Sequence, residues 1–191
     1  MELAELTVRG FTEEIASASP APGGGSAAAL AGAVGAALTA MVSGLTLGRK
    51  KYEAVQELAL CAQAQADVLR KRLLAAMEQD TQAFLQVSAA YAMPKQTLEE
   101  KQARSSAIEQ GLKACTQPPL AVMQLCAEGL ELLERLLGKT NATAASDFGV
   151  ACLSLRAGLQ GAWLNVCINT GSLCDAAFAA DARAVGQKLL D

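Results

Sequence analysis

Apolar side chains recur along this chain at intervals of three and four residues from residue 26 onward, and nowhere do they alternate in the strand manner for more than a few positions. That periodicity predicts helices throughout and no strands. Turn-forming residues divide the pattern. "SPAPGGGS" closes a short first helix, "LGRKKY" separates an apolar helix from a long one near 52–91, and "AMPKQT" ends the long one. Thr97 and Glu100 stand in capping-box relation, which starts a helix near Leu98. Pro118 and Pro119 are expected to end or kink it near Thr116, with a further helix over about 120–137. Gly138 stops that helix, "GKTNATAAS" forms a loop, and helical character then runs to about residue 178 before a last short helix. With 191 residues and no internal repeat, residues 1–191 read as one unit, an all-α single-domain helical bundle built around a buried Ala/Gly-rich central helix.

The stretch Ala27 to Leu47 carries no charge and is long enough to cross a bilayer, with "RKK" behind it as an anchor. Its composition favours burial in protein instead. Eight of its residues are Ala and three are Gly, so its few Leu and Val residues supply only about −2 to −4 kcal/mol towards insertion. Leu30, Val34, Leu38, Met41, Val42 and Leu45 form one face, and Ala28, Gly32, Ala36 and Ala40 form a small-residue stripe beside it. Both faces are expected to be packed by the amphipathic helices that follow, and no membrane contact is expected.

Polar residues on apolar faces carry the candidate chemistry. On the helix near 52–91, Asp80 shares a sector of roughly 40° to either side with Leu58, Ala62, Leu69, Leu73, Ala76, Phe84, Val87 and Tyr91, whereas Glu78 falls on the solvated side. A carboxylate among such neighbours is either a structural partner in a buried pair or an acid/base group whose pKa desolvation raises. A second line joins Asp147, Ser154, Gly158, Gly161, Asn165 and Asn169 if the helix after Ala142 is continuous. Gly and Ser there would allow close helix crossing and the Asn side chains would bond to neighbouring backbone, or the amides would recognise an amide-rich heterocycle. Gly23, Gly24 and Gly25 follow no strand and match no nucleotide-loop pattern. They are a hinge ahead of Ser26 as helix cap, or an open helix N-terminus that seats a ligand.

Composition narrows the function classes. Charged residues make up 18% and aromatics 4% of the chain, as suits helices packed through small side chains. A net charge of −3 with no basic cluster beyond "GRKK" leaves nucleic acid without a footprint. Six cysteines without a C-x-x-C pair, in a chain with no histidine, remove the usual zinc and haem ligand sets, so no metal is expected. The cysteines read as small buried hydrophobes. Together with an acidic N-terminus unlike a secretory signal, they give the expectation of a cytoplasmic protein.

Five segments taken in order, "FTEEIASASPAPGGGSAAALAGAVGAALTAMVSGLTLGRKKYE" (11–53), "DTQAF" (80–84), "YAMPKQTLEEKQAR" (91–104), "SDFGVA" (146–151) and "LNVCIN" (164–169), resemble the cyclodeaminase/cyclohydrolase family of folate enzymes. The resemblance implies an all-helical homodimer that binds a tetrahydrofolate derivative as substrate without metal or other cofactor. It implies Asp80, in the D-x-x-A-F element, as the catalytic residue. Gly23, Gly24, Gly25, Ser26, Lys95, Arg104, Asp147, Asn165 and Asn169 become candidates for substrate binding, with Lys95 or Arg104 on glutamate carboxylates and Asp147, Asn165 and Asn169 on the pterin edge. The leading expectation is formiminotetrahydrofolate cyclodeaminase, which forms 5,10-methenyltetrahydrofolate and ammonia. Methenyltetrahydrofolate cyclohydrolase, which forms 10-formyltetrahydrofolate, is the alternative. A non-catalytic helical or membrane-associated interaction module is the remote one.

Overall fold

A computed structural model describes residues 2–191. Among them the helices are α1 (Val8–Ala16), α2 (Gly24–Gly44), α3 (Gln56–Tyr91), α4 (Leu98–Leu136), α5 (Ala145–Gly171) and α6 (Ala176–Leu190), with 3₁₀ turns at Leu3–Glu5, Lys50–Val55 and Ala142–Ala144 and no strand. The periodicity therefore gives the right class. α2 lies between α3 and α5 and also touches α4, while α6 packs on α4 and α5.

The central position of α2 follows from its small side chains. Its buried residues are Gly25, Ser26, Ala28, Ala29, Gly32, Ala33, Gly35, Ala36, Thr39, Val42 and Ser43, so neighbouring backbones come close. A Cβ on Gly35 would stand 2.9 Å from the Ala151 carbonyl oxygen, and one on Gly158 would stand 2.9 Å from both the Ala28 oxygen and the Gly32 nitrogen. Beyond its first turn, the buried hydroxyls of this segment are satisfied locally. Thr39, Ser43 and Thr46 each donate to the carbonyl four residues earlier at 2.9 Å. The larger face behaves differently from expectation, because Val34, Met41 and Leu45 remain 40–45% exposed. The helix is long and apolar enough to cross a membrane, but more than half of its apolar window is buried inside the protein.

Three further expectations need correction. Pro118 and Pro119 do not end a helix, since α4 runs uninterrupted from Leu98 to Leu136 with both prolines inside and buried. A proline cannot donate to the carbonyl four residues before it, and here α5 supplies the missing donor. The Asn169 Nδ2 group donates to the Cys115 oxygen, the acceptor Pro119 leaves unserved, at 2.8 Å. α5 stops at Gly171 rather than near 178, and Asp175 caps α6 by accepting from the Phe178 N–H at 3.0 Å. Glu78 is not a solvated acid but accepts from the Leu3 N–H at 3.0 Å, fastening the N-terminal turn to α3. The capping box at Thr97/Glu100 and the left-handed Gly138 (φ +72°) stand where the sequence puts them.

The α2–α5 crossing gives a direct test. Gly158→Ala places a methyl against two atoms of the rigid α2 backbone and should cost about 1–3 kcal/mol, read as a lower urea midpoint with unchanged m. Gly149→Ala, with open space around it, should show no steric penalty.

Candidate active site

The first turn of α2 meets the middle of α3 at Asp80. A Cβ on Gly25 would collide with the Asp80 carboxylate, so only glycine lets the two helices approach here. Ser26, fully buried, faces α3. Its hydroxyl lies 3.1 Å from Asp80 Oδ2, 3.2 Å from the Met77 carbonyl oxygen and 3.2 Å from Thr81 Oγ1. The Ser26 backbone, like its hydroxyl, favours the charged carboxylate, so Asp80 faces the N-terminal turn of α2 from another helix, on the side where a negative charge is welcome. The expected cap is thereby corrected. Gly23 is the N-cap residue and α2 begins at Gly24, one turn too early for Ser26 to serve.

Above the carboxylate lies a cavity of about 150 Å³, bounded by Pro20, Ala21 and Gly23 to Gly25 on one side, Asp80, Thr81 and Phe84 from α3, Cys115 from α4, and Asn165 and Asn169 from α5. Asp80 makes no ion pair with the described residues, and no Lys or Arg lines the cavity. Burial pushes its carboxyl above the usual carboxylate value, against the opposing pull of the Ser26 hydroxyl and N–H. The Cys115 thiol is pushed up to about 11 by burial and by the neighbouring Asp80 charge, so it stays neutral. Asp80 is thus the one charged group of the cavity lining. Its upward shift is in the direction a general acid or base requires.

Of the residues singled out in the sequence, Gly23, Gly24, Gly25, Asp80, Asn165 and Asn169 converge on this cavity, with Ser26 behind Asp80. Three others are placed elsewhere. Asp147 sits at the opposite end of α5, 18 residues before Asn165 and so about 27 Å away along the axis. A helical wheel aligns it with the asparagines because it ignores distance along the helix. Arg104 donates to the Tyr91 carbonyl at 3.1–3.3 Å, and Lys95 is exposed in the α3–α4 turn. Both stand about 16 Å or more beyond Asp80 along the α3–α4 pair. Thr81, Phe84 and Cys115 line the site without having been proposed for it. Phe84 lies within the Asp80 sector and was legible there, whereas Thr81 stands about 100° from Asp80 round the helix and Cys115 depended on the uninterrupted course of α4.

Residues 7–188 match the family described as formiminotransferase-cyclodeaminase. The chain belongs to that family. It is 44% identical over 173 residues to the methenyltetrahydrofolate cyclohydrolase of Methylorubrum extorquens, covering 91% of this chain and 83% of that one. It is 32% identical to the formimidoyltransferase-cyclodeaminase of Mus musculus, covering 92% of this chain but only 32% of that much longer protein. Among solved structures, the formiminotetrahydrofolate cyclodeaminase of Thermotoga maritima superposes with a TM-score of 0.88 at 26% identity, over 98% of this chain and 90% of that one. The cyclodeaminase-family fold thus accounts for the whole bundle.

The raised Asp80 carboxyl has a consequence for stability. A carboxyl that holds its proton more tightly when folded contributes most below its unfolded value of 3.8, and that contribution is lost as pH rises through the folded value. Asp80→Asn should therefore melt higher than the parent at pH 7, and the difference should shrink towards pH 4 in paired thermal scans.

Proposed function

We propose that this protein is a methenyltetrahydrofolate cyclohydrolase in which Asp80 serves as the acid/base group. The observation that carries the reading is an Asp80 carboxylate without a cationic partner, standing at the floor of a polar cavity. The 44% identity to a protein of that name, over most of both chains, supports this activity over the cyclodeaminase. The substrate is itself a cation, with positive charge shared across N5, the bridging carbon and N10. A lone carboxylate suits it electrostatically, and the bound charge would favour the ionised form of Asp80. Asp80 then takes a proton from water as the oxygen bonds to the bridging carbon. It returns that proton to N5 as the carbon–N5 bond breaks, and the remaining hydroxyl proton leaves to solvent as the 10-formyl group forms.

The cyclodeaminase reading is the second candidate, favoured by the likeness to the Thermotoga maritima structure. There N10 attacks the formimino carbon and the same carboxyl delivers a proton to departing ammonia. Absorbance of the methenyl chromophore separates the two. Purified protein should bleach 5,10-methenyltetrahydrofolate faster than it forms that chromophore from 5-formiminotetrahydrofolate. The reverse ranking overturns the hydrolase assignment.

Under either reaction Asp80→Asn should lower kcat by about 10²–10⁴-fold. In the hydrolase direction the carboxylate must be free to accept a proton, so kcat/KM should fall on the acid side with a midpoint above 3.8. Ser26→Ala removes a hydrogen bond to the charged form and should move that midpoint to higher pH.

A homodimer completes the proposal. α2 and α5 pack side by side, and each turns an apolar stripe outward: Val34, Met41 and Leu45 on one, Val150, Leu153, Leu164 and Ile168 on the other. Exposed apolar stripes on two neighbouring helices suit a second copy of the chain. Leu153→Glu with Leu164→Glu should halve the mass seen by light scattering, and an unchanged mass would exclude this face as the interface.

A further inference from the structure

Asn169 sits on the cavity wall with half of its amide already committed. Pro119 has no N–H to offer the carbonyl four residues before it, so the Cys115 oxygen needs a donor from outside α4. Asn169 Nδ2 provides it at 2.8 Å. That bond fixes which end of the amide faces the cavity, because only the nitrogen end can donate to a carbonyl. Asn165 is oriented in the same sense, its Nδ2 donating to the Gly161 carbonyl at 3.0 Å. Both Oδ1 atoms are left without a hydrogen bond from the described residues, on side chains that line the cavity. With Asp80, three side chains on two helices bring unpaired acceptor oxygens to one cavity.

We propose that Pro119, acting through the Cys115 carbonyl, locks Asn169 with its Oδ1 towards the cavity, and that Asn169 and Asn165 thereby select the donor edge of the substrate's pterin ring. The proposal rests on the folate reading above and deepens it. A reduced pterin carries donors at its 2-amino group, N3–H and N8–H, and the two Oδ1 atoms match those groups while opposing a ring turned over to present its carbonyl to them. A proline in the middle of a 39-residue helix thus has a use. Pro119 leaves the Cys115 carbonyl unserved, and that carbonyl orients a binding residue. Pro119 is a positioning residue, and Asn169 and Asn165 determine specificity.

The test is a double-mutant cycle between Pro119→Ala and Asn169→Leu, with both stability and kinetics as readouts. The Pro119→Ala substitution restores an N–H to the Cys115 oxygen and frees the Asn169 amide to rotate. With 5,10-methenyltetrahydrofolate, Pro119→Ala should raise KM at least threefold while kcat stays within twofold. Asn169→Leu should raise KM by at least as much, and Pro119→Ala should add nothing on top of it. Without ligand, Asn169→Leu should lower Tm by leaving the Cys115 oxygen bare, and Pro119→Ala should recover most of the loss in that background alone. A KM unchanged in Pro119→Ala, or raised equally with and without Asn169, overturns the inference while leaving the folate reading intact. Absence of the Tm recovery overturns the locking step. A parent protein that turns over neither the methenyl nor the formimino substrate removes the folate reading, and the pterin assignment with it.

Discussion

Everything at this site depends on one short contact, the Asp80 carboxylate seated on the first turn of α2. The contact needs glycine at position 25, because any side chain there would occupy the carboxylate's place. It also needs Ser26, whose hydroxyl reaches the same group. Burial opposes the charge and the helix terminus favours it, and burial is the larger influence. The result is a carboxyl that is structurally anchored and holds a proton more readily than a free one. A full ion pair in its place would have fixed the charge and removed the group from proton transfer.

The rest of the bundle serves to hold that contact still. α2 can lie against α3, α4 and α5 because its inward side is almost entirely Gly, Ala, Ser and Thr, and this brings the asparagines of α5 within reach of Asp80's cavity. The 3₁₀ turn at Lys50–Val55 and the capped start of α4 set the lengths of α3 and α4, so that Asp80 and Cys115 come level. Stability and chemistry therefore share residues. Gly25, Ser26 and Asn169 each satisfy a packing or hydrogen-bonding need of the fold in the act of shaping the cavity.

Much of this was legible in the sequence, for reasons that can be named. Asp80 was visible because a helical wheel reports angle, and a carboxylate at the angle of Leu69, Leu73 and Val87 is an anomaly with few explanations. The same wheel misplaced Asp147, since angle carries no information about position along an axis, and about 27 Å of helix separates that residue from the asparagines. The prolines misled because local rules treat a missing N–H as a break, whereas the group that repairs it is Asn169, 54 residues beyond the carbonyl it serves. Phe84 and Tyr91 were expected inside with Asp80, yet 37% and 49% of their surfaces remain exposed. A wheel gives a direction from the axis, while exposure depends on how far neighbouring helices extend. The three glycines were recognised as an entrance, but what Gly25 admits first is the protein's own carboxylate.

The small-residue side of α2 also limits how this chain can change. A core of leucines and phenylalanines tolerates exchange, because one side chain can shrink while its neighbour grows and the volume is conserved. Where a Cβ on Gly35 or Gly158 would stand 2.9 Å from backbone atoms, no shrinking of a neighbouring side chain would relieve the clash. Drift along that side is confined to the smallest residues, however freely the outer faces vary. The helix is then a template that sequences can decorate but not thicken, and the geometry around Asp80 is inherited with it.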